Sequence, residues 1–131
     1  MDWNYFGREL GALRRKNSRL QKQVAIDSGF KASYIASLEG GRRWPPQKDQ
    51  LLRIVIALGA SEAEKESLVR SAKLTEMARS IAGYAEDFPG AAAAMSLLEL
   101  SADMSPGEIK AVQTIVEGYR FRSYASRRDD M

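Results

Sequence analysis

The stretch from Gln21 to Pro45 constrains the fold of this chain more than any other part of its sequence. It reads QKQVAIDSGFKASYIASLEGGRRWP and predicts two short helices that meet at a sharp turn. Gly29 allows that turn, because glycine lacks a Cβ and adopts positive φ without steric cost. Ala25 is small enough to let the second helix cross the first one closely. The stretch therefore predicts a tightly crossed pair of helices.

The second helix of this pair carries its polar side chains outward. Ile35 and Leu38 lie three residues apart, so both face the core and leave the polar residues on other faces. The Gly40–Gly41 pair ends the helix, and the Arg42–Arg43 pair follows at once. A short polar helix that is held outward by a tight turn and followed by arginines suits the major groove of DNA.

This stretch resembles the helix-turn-helix of phage repressors and Cro proteins, a family often called XRE-like. The resemblance covers roughly residues 6–60. It depends on residues at the spacing of the family: Leu10, Leu13, Arg14, Gln21, Val24, Ala25, Gly29, Phe30, Ile35, Leu38, Glu39, Gly41, Leu51, Ile54, Ala57, Leu58 and Gly59. One position departs from the family, because Leu20 stands where Ser, Thr or Asn usually caps the second helix. A missing cap of this kind costs about 1 kcal/mol.

The resemblance also implies which residues contact DNA. In the family, the glutamine that opens the second helix binds a phosphate, assisted by the positive end of that helix. The first residues of the third helix face base edges, and the arginines after it face phosphates. On this chain, the implied DNA-binding residues are Gln21, Lys31, Ala32, Ser33, Tyr34, Ser37, Arg42 and Arg43. For each of them the alternative is a solvated surface residue without a contact.

Two further positions have a structural interpretation. Related repressors pair an arginine of helix 1 with the glutamate near the end of helix 3, which implies that Arg14 and Glu39 hold the recognition helix at a fixed angle. Trp44 has two interpretations, since its ring would either cover the edge of the core or lie against a deoxyribose.

The charge distribution divides the chain into two parts. Residues 1–60 hold 11 Lys and Arg against 5 Asp and Glu, a net charge of +6, whereas residues 61–131 hold 9 against 12, a net charge of −3. Cations that release condensed counterions from phosphates supply nonspecific affinity for nucleic acids. The charges could instead serve only to keep both surfaces soluble, but the coincidence of the basic part with the helix pair favours DNA binding.

The composition excludes several classes of function. The chain contains no cysteine and no histidine, which removes disulfides, thiolate catalysis, zinc fingers and histidine acid–base chemistry. We therefore expect no enzyme, no catalytic residues, no cofactor and no metal site. No apolar run approaches the roughly 20 residues that span a bilayer, and the first residues do not form a signal peptide. A cytoplasmic protein without a membrane partner is expected.

Hydrophobic spacing and breaker residues predict the positions of the first helices. Helix 1 is expected from about Tyr5 to Lys16, and helices 2 and 3 at about 21–28 and 32–39. Helix 4 should begin after the Pro45–Pro46 pair and end at Gly59. These four helices form a lambda-repressor-like domain over residues 1–60, which should fold alone.

Residues 61–131 are expected to form additional helices. Capping-box patterns at Ser61 and Ser105 open helix 5 and the last helix. A further helix between them should carry one apolar face: Met77, Ile81, Tyr84 and Phe88. The last helix should carry another apolar stripe: Ile109, Val112, Val116 and Tyr119. No strand pattern is present, so the whole chain should be all-α, and the stripes either complete one core or form a dimerisation surface.

Three functions are compatible with these features. The leading hypothesis is a sequence-specific regulator of transcription that binds double-stranded DNA, namely a repressor that forms a homodimer on a near-palindromic operator. A second is an antitoxin that joins the same DNA-binding domain to a toxin-binding segment in the C-terminal helices. A third is an adaptor that uses the helices for protein contacts and never binds DNA, although the +6 charge of residues 1–60 argues against it.

Overall fold

The structure, a computed structural model, describes the backbone of residues 3–129 and the side chains of residues 3–122. Seven helices lie within this range: α1 (Tyr5–Lys16), α2 (Gln21–Ser28), α3 (Ala32–Glu39), α4 (Lys48–Leu58), α5 (Glu62–Ala82), α6 (Gly90–Ser101) and α7 (Pro106–Asp129). No strand occurs between residues 3 and 129, so the predicted all-α class is confirmed.

The first four helices begin and end where local sequence signals predict. The Oδ1 atom of Asn4 accepts a hydrogen bond from the Gly7 amide at 3.1 Å and so caps α1. Gly29 and Gly59 follow α2 and α4 with φ angles of 78° and 64°, a conformation that glycine adopts without a Cβ clash. The predicted bounds of helices 1 to 4 are confirmed.

Capping boxes open both α5 and α7, as predicted. The Ser61 hydroxyl accepts a hydrogen bond from the Glu64 amide at 3.1 Å, and the Glu64 carboxylate accepts one from the Ser61 amide at 2.9 Å. Ser105 and Glu108 exchange the same two bonds at 3.2 Å each. Each box satisfies two backbone N–H groups that a helix N-terminus would otherwise leave without an acceptor.

The hydrophobic core joins the first five helices. Its buried side chains are Phe6, Leu10, Leu13, Val24, Ala25, Ile35, Leu38, Leu51, Ile54, Val55, Ala57, Leu58, Leu68 and Ala72. Leu68 and Ala72 come from α5, which packs along α1. The hydroxyl of Thr75, also on α5, accepts a hydrogen bond from the Phe6 amide at 2.9 Å. The boundary expected at residue 60 thus falls inside one compact unit, because the core of α1 to α4 includes side chains of α5.

A single helix occupies the region where the sequence suggested two. Helix α5 runs without a break from Glu62 to Ala82, so the expectation of a further helix around Met77 and Ile81 is wrong. The physical reason is that no glycine or proline interrupts residues 62–82. Tyr84 and Phe88 lie in the turns after α5, with their ring centres 6.3 Å apart.

The chain divides into two compact units between Ala92 and Ala93. The second unit contains most of α6 and all of α7 as far as Asp129. In α6 the side chain of Met95 is buried. Helix α7 instead exposes large apolar side chains: Ile109, Ile115, Val116, Tyr119 and Phe121.

Candidate nucleic-acid interface

Helix α3 presents its polar face outward because its apolar face is locked into the core. Ile35 and Leu38 are fully buried, which fixes the rotation of the helix about its axis. Lys31 caps the helix in extended backbone, but its side chain does not accept a capping hydrogen bond. The residues predicted to face base edges are exposed or half-buried: Lys31, Ala32, Ser33, Tyr34 and Ser37.

An open depression on the surface brings most of the predicted DNA-contacting residues together. Its lining contains five of the eight: Lys31, Ser33, Tyr34, Ser37 and Arg43. Gly29 and Phe30, from the turn before α3, complete the lining. The depression is therefore polar, carries two cationic side chains and includes the N-terminal end of α3.

The remaining three predicted residues lie outside this depression. Ala32 is exposed in the first turn of α3, and Gln21 is half-buried at the start of α2. Arg42 is exposed and lines a neighbouring depression together with Arg43 and Trp44. The shared lining residues Tyr34 and Arg43 place the two depressions side by side along α3 and the segment after it.

Helix α2 begins at Gln21 without the side-chain cap that is usual at this position. Leu20 is extended and has no side-chain acceptor, but its amide donates to Oε1 of Gln23 at 2.9 Å. Half of a capping box is thus retained through Gln23. An external anion is one group that can accept from the first amides of such a helix.

Arg14 and Glu39 form the predicted pair and tie α1 to the end of α3. Nε of Arg14 lies 2.9 Å from Oε2 of Glu39, and Nη2 donates to Oε1 at 3.0 Å. The third nitrogen, Nη1, donates to the backbone carbonyl of Arg19 at 3.0 Å. The two side chains are 12% and 11% exposed, so the pair is nearly buried. A bidentate pair of this kind fixes the angle as well as the distance between two helices.

Glycines on α1 allow α3 to approach closely enough for this pair to form. A Cβ on Gly7 would collide with the Leu38 carbonyl oxygen, and one on Gly11 would stand 2.9 Å from Oε1 of Glu39. Asn4 adds a further link, because its Nδ2 donates to the Glu39 carbonyl at 2.7 Å. Sequence reasoning missed Asn4, although an asparagine directly before a helix is a usual capping signal.

An aromatic and cationic cluster supports the start of α3. The rings of Phe30 and Tyr34 lie 5.0 Å apart, and the Arg53 guanidinium lies 4.5 Å from the centre of the Phe30 ring. Burial raises the pKa of the Tyr34 phenol above its ordinary value, and the nearby Arg43 opposes that shift. At neutral pH the phenol is therefore protonated and can donate a hydrogen bond. Arg53 was not predicted, since only the packing of α4 beside Gly29 places it here.

The segment after α3 is held from α5. Nη2 of Arg79 donates to the Gly41 carbonyl at 2.9 Å, and Nη1 donates to the Arg43 carbonyl at 3.2 Å. The same guanidinium lies 5.2 Å from the centre of the Trp44 ring. Trp44 is 53% exposed, so about half of its side chain remains accessible to solvent. No local sequence signal could have identified Arg79, which is 35 residues from Trp44 in the chain.

The described residues contain neither a metal-binding cluster nor a membrane-spanning helix. Among the described residues, no group of three or more acidic side chains is arranged to hold a metal ion. None of the helices in that part of the chain is long and apolar enough to cross a membrane.

Comparison with known proteins places the chain in a family. A family described as a helix-turn-helix domain matches residues 5–68. A protein of Sinorhizobium fredii (strain NBRC 101917 / NGR234), described as an uncharacterized HTH-type transcriptional regulator, is 40% identical over 58 residues, which cover 44% of this chain and 74% of that relative. No solved structure gives a significant match. The chain belongs to the XRE-like helix-turn-helix family of DNA-binding proteins, whose members regulate transcription.

Proposed function

We propose that this protein is a sequence-specific transcriptional repressor that binds double-stranded DNA through α3. The observation that carries the proposal is the polar depression at the start of α3, where Lys31, Ser33, Tyr34, Ser37 and Arg43 meet. The buried Ile35 and Leu38 and the Arg14–Glu39 pair hold this surface in one orientation. A rigid helix of this size fits the major groove, where base edges are distinguishable.

The proposed contacts fall into two groups with different consequences. Lys31, Ser33 and Ser37 face base edges, Ala32 offers a methyl group to a thymine methyl, and the Tyr34 phenol donates a hydrogen bond. Gln21 and the Arg42–Arg43 pair contact phosphates, which position the protein but carry no sequence information. Serine both donates and accepts, so these residues do not define the operator sequence by themselves.

We further propose that residues 61–131 make the protein a homodimer. The support is the set of exposed apolar side chains on one face of α7, which includes Ile109, Val116 and Tyr119. A two-fold dimer places its recognition helices about 34 Å apart, so the operator should be a near-palindrome with half-sites one helical turn or a small multiple apart. Binding two half-sites together compensates for the small contact area of a single α3.

Selection of bound sites from random duplex DNA is the test of the main proposal. The expected result is a preferred near-palindromic sequence whose affinity falls steeply between about 50 and 200 mM salt, because bound phosphates release counterions. Affinity that depends neither on sequence nor on salt would contradict the regulator proposal and favour the adaptor. Matched substitutions sharpen this result: Ser33→Ala and Lys31→Ala should each relax the preference at particular base pairs by about 1–3 kcal/mol.

Arg43→Ala serves as the contrast, since the loss of a phosphate contact should weaken all sites alike. If Ser33→Ala and Lys31→Ala leave the preferred sequence unchanged, α3 does not read bases with these residues. Arg70→Ala is the control for charge, because Arg70 is exposed on α5 and lies outside both depressions.

An antitoxin is the second candidate, and the exposed apolar side chains of α7 are the observation that favours it. A toxin that covers α7 would bury the same residues as a second copy of this chain. Sedimentation of the purified protein separates the two: a dimer at micromolar concentration supports the homodimer. A stable monomer that forms a one-to-one complex with the product of an adjacent gene, and regulates that operon, supports the antitoxin.

A further inference from the structure

The segment that follows α3 is built as a turn and carries its two arginines on exposed side chains. Gly41 has a φ angle of 75°, and Arg42 and Arg43 are both exposed. Within the segment, the Gly41 amide donates to the Leu38 carbonyl at 3.3 Å and the Arg42 amide donates to the Ser37 carbonyl at 3.0 Å. These two bonds continue the end of α3 for one turn, but they do not reach Arg43 or Trp44.

Arg79 holds the part of the segment that these backbone bonds do not reach. Its guanidinium donates to the carbonyl oxygens of Gly41 and Arg43, so one planar group bridges two points of the turn. The fork geometry of arginine fixes the relative position of two acceptors, which a lysine cannot do. The contact with the Trp44 ring extends the hold to the next residue.

Arg79 is itself firmly placed. The neighbouring Ala78 is 1% exposed, and Thr75, one turn earlier, is fully buried. The Thr75 hydroxyl accepts from the Phe6 amide at 2.9 Å and donates to the Ser71 carbonyl at 2.8 Å. This part of α5 is thereby fixed to the start of α1. Since Asn4 also bonds to the carbonyl of Glu39, the last residue of α3, the start of α1 is linked to the helix that precedes the Gly41–Trp44 segment.

We propose that Arg79 is a positioning residue for DNA binding, which holds the Gly41–Trp44 segment so that Arg42 and Arg43 meet the phosphate backbone. This inference rests on the proposed DNA-binding function. Each terminal nitrogen of Arg79 donates to a backbone carbonyl of the segment, so its role is to position the segment and, through it, Arg42 and Arg43. Arg79 also lies beyond residues 5–68, where the family match ends, so these contacts come from the part of α5 that lies outside the matched domain.

The first experiment needs no DNA. Hydrogen exchange of the Gly41 and Arg42 amides reports on local opening of the turn, since each donates within it. We expect Arg79→Ala and Arg79→Lys to exchange these amides faster than the wild-type chain, while amides inside α1 and α4 keep their rates. Arg70→Ala removes the same charge from the same helix and should leave all of these rates unchanged. Equal exchange at Gly41 and Arg42 in wild type and both Arg79 variants would overturn the proposal.

The second experiment measures operator affinity as a function of salt for the full chain. Each lost phosphate contact should reduce the slope of log K against log salt by about 0.9, so Arg79→Ala should lower the slope by up to about 2. In an Arg43→Ala background, Arg79→Ala should cost less than it does alone, because part of its effect acts through Arg43. The preferred base sequence should stay the same in every Arg79 variant.

Three results of this second experiment would overturn the inference. If Arg79→Lys keeps the wild-type slope of log K against log salt, the positive charge alone explains the effect. If Arg70→Ala loses as much affinity as Arg79→Ala, the position of the charge on α5 does not matter. Additive losses in the Arg43→Ala background would show that Arg79 acts independently of Arg43. If the wild-type chain itself lacks salt-dependent, sequence-specific binding, the proposed function fails, and the exchange experiment alone then decides whether Arg79 holds the segment.

Discussion

The two compact units of this protein differ in how many of their hydrophobic side chains they bury. In the first, leucines, isoleucines and valines from five helices converge on one buried cluster, and polar links such as Asn4 to Glu39 connect the helices across it. In the second, Tyr119 and Phe121 of α7 are 64% and 75% exposed. Exposed apolar side chains contribute little to the stability of the monomer, and a contiguous exposed apolar patch usually marks an interaction site.

This difference suggests that the two units have different roles, one in DNA recognition and one in association with another chain. The first unit needs internal rigidity, because a recognition helix can distinguish bases only if its position is fixed to a fraction of an ångström. The second unit has an accessible apolar surface, which is what association with another chain requires. The predictions below test whether this division is real.

The largest effect on stability should come from removing α5, which is part of the first unit. A chain that ends at Ala60 lacks Leu68, Ala72 and Thr75, so we expect it to lose cooperative thermal unfolding, whereas a chain that ends at Ala92 should retain it. Leu68→Ala in the full chain should cost about 2–5 kcal/mol. Circular dichroism during heating measures all three. Cooperative unfolding of residues 1–60 near the temperature of the longer chain would restore the boundary expected from the sequence.

The Arg14–Glu39 pair should give the next largest effect. Removing either partner alone leaves a nearly buried charge without its counterpart, which should cost about 3 kcal/mol, while removing both should cost less than the sum. Chemical denaturation of Arg14→Ala, Glu39→Ala and the double variant provides the cycle. The matched control is the exposed Glu117–Arg120 pair on α7, 3.1 Å apart, whose removal should change little. Additive losses for Arg14 and Glu39 would show that the two side chains do not interact energetically.

A substitution on α7 should affect association and not folding. Tyr119→Ala should change the free energy of unfolding of the monomer by at most about 1 kcal/mol, because the ring is exposed and its contact with Arg122 is a surface one. If α7 forms the dimer, the same change should weaken it by about 1–2 kcal/mol. Sedimentation equilibrium measures the strength of the dimer in the wild type and the variant, and chemical denaturation measures the free energy of unfolding. Lys110→Ala is the control on the same helix. A dimer of unchanged strength would place the interface elsewhere.

The smallest effect should be a dependence of stability on acid. The Ser61 amide and Lys16 lower the pKa of Glu64 below its usual value of 4.5. A lowered pKa in the folded state contributes stability at neutral pH that is lost as pH falls through and below 4.5. Glu64→Gln should therefore lose less stability on acidification than the wild type, and the exposed Glu66→Gln should behave as the wild type does. Identical acid profiles for Glu64→Gln and wild type would exclude this contribution.

Much of the first unit could be predicted from the sequence because its signals are local. Gly29 and Gly59 end helices, Ser61 opens one, and each signal acts within about four residues. The error at Met77 and Ile81 has the same origin. The apolar periodicity there was recognised, but it continues α5, and periodicity alone does not distinguish one long helix from two.

The residues of the candidate site show the same distinction between local signals and long-range packing. Lys31, Ser33 and Ser37 could be predicted to lie outside the buried face of α3, because that helix is short and its buried face is defined by two side chains. Arg53 and Arg79 could not be assigned, because they reach the site from α4 and α5 across the fold. Their contacts depend on how distant helices pack, which no spacing within one helix records.

By itself, the sequence determined where the helices α1 to α4 begin and end, which face of α3 is buried and which residues it presents. Only the tertiary structure decided that α5 closes the core, that Asn4 bonds to the end of α3 and that Arg79 holds the Gly41–Trp44 segment. The physical reason is the range of the interactions. Capping and turn formation are satisfied among neighbours in the chain. The hydrogen bonds that Thr75 and Arg79 make from α5 instead join residues 36 to 69 positions apart, which meet only when the whole core assembles.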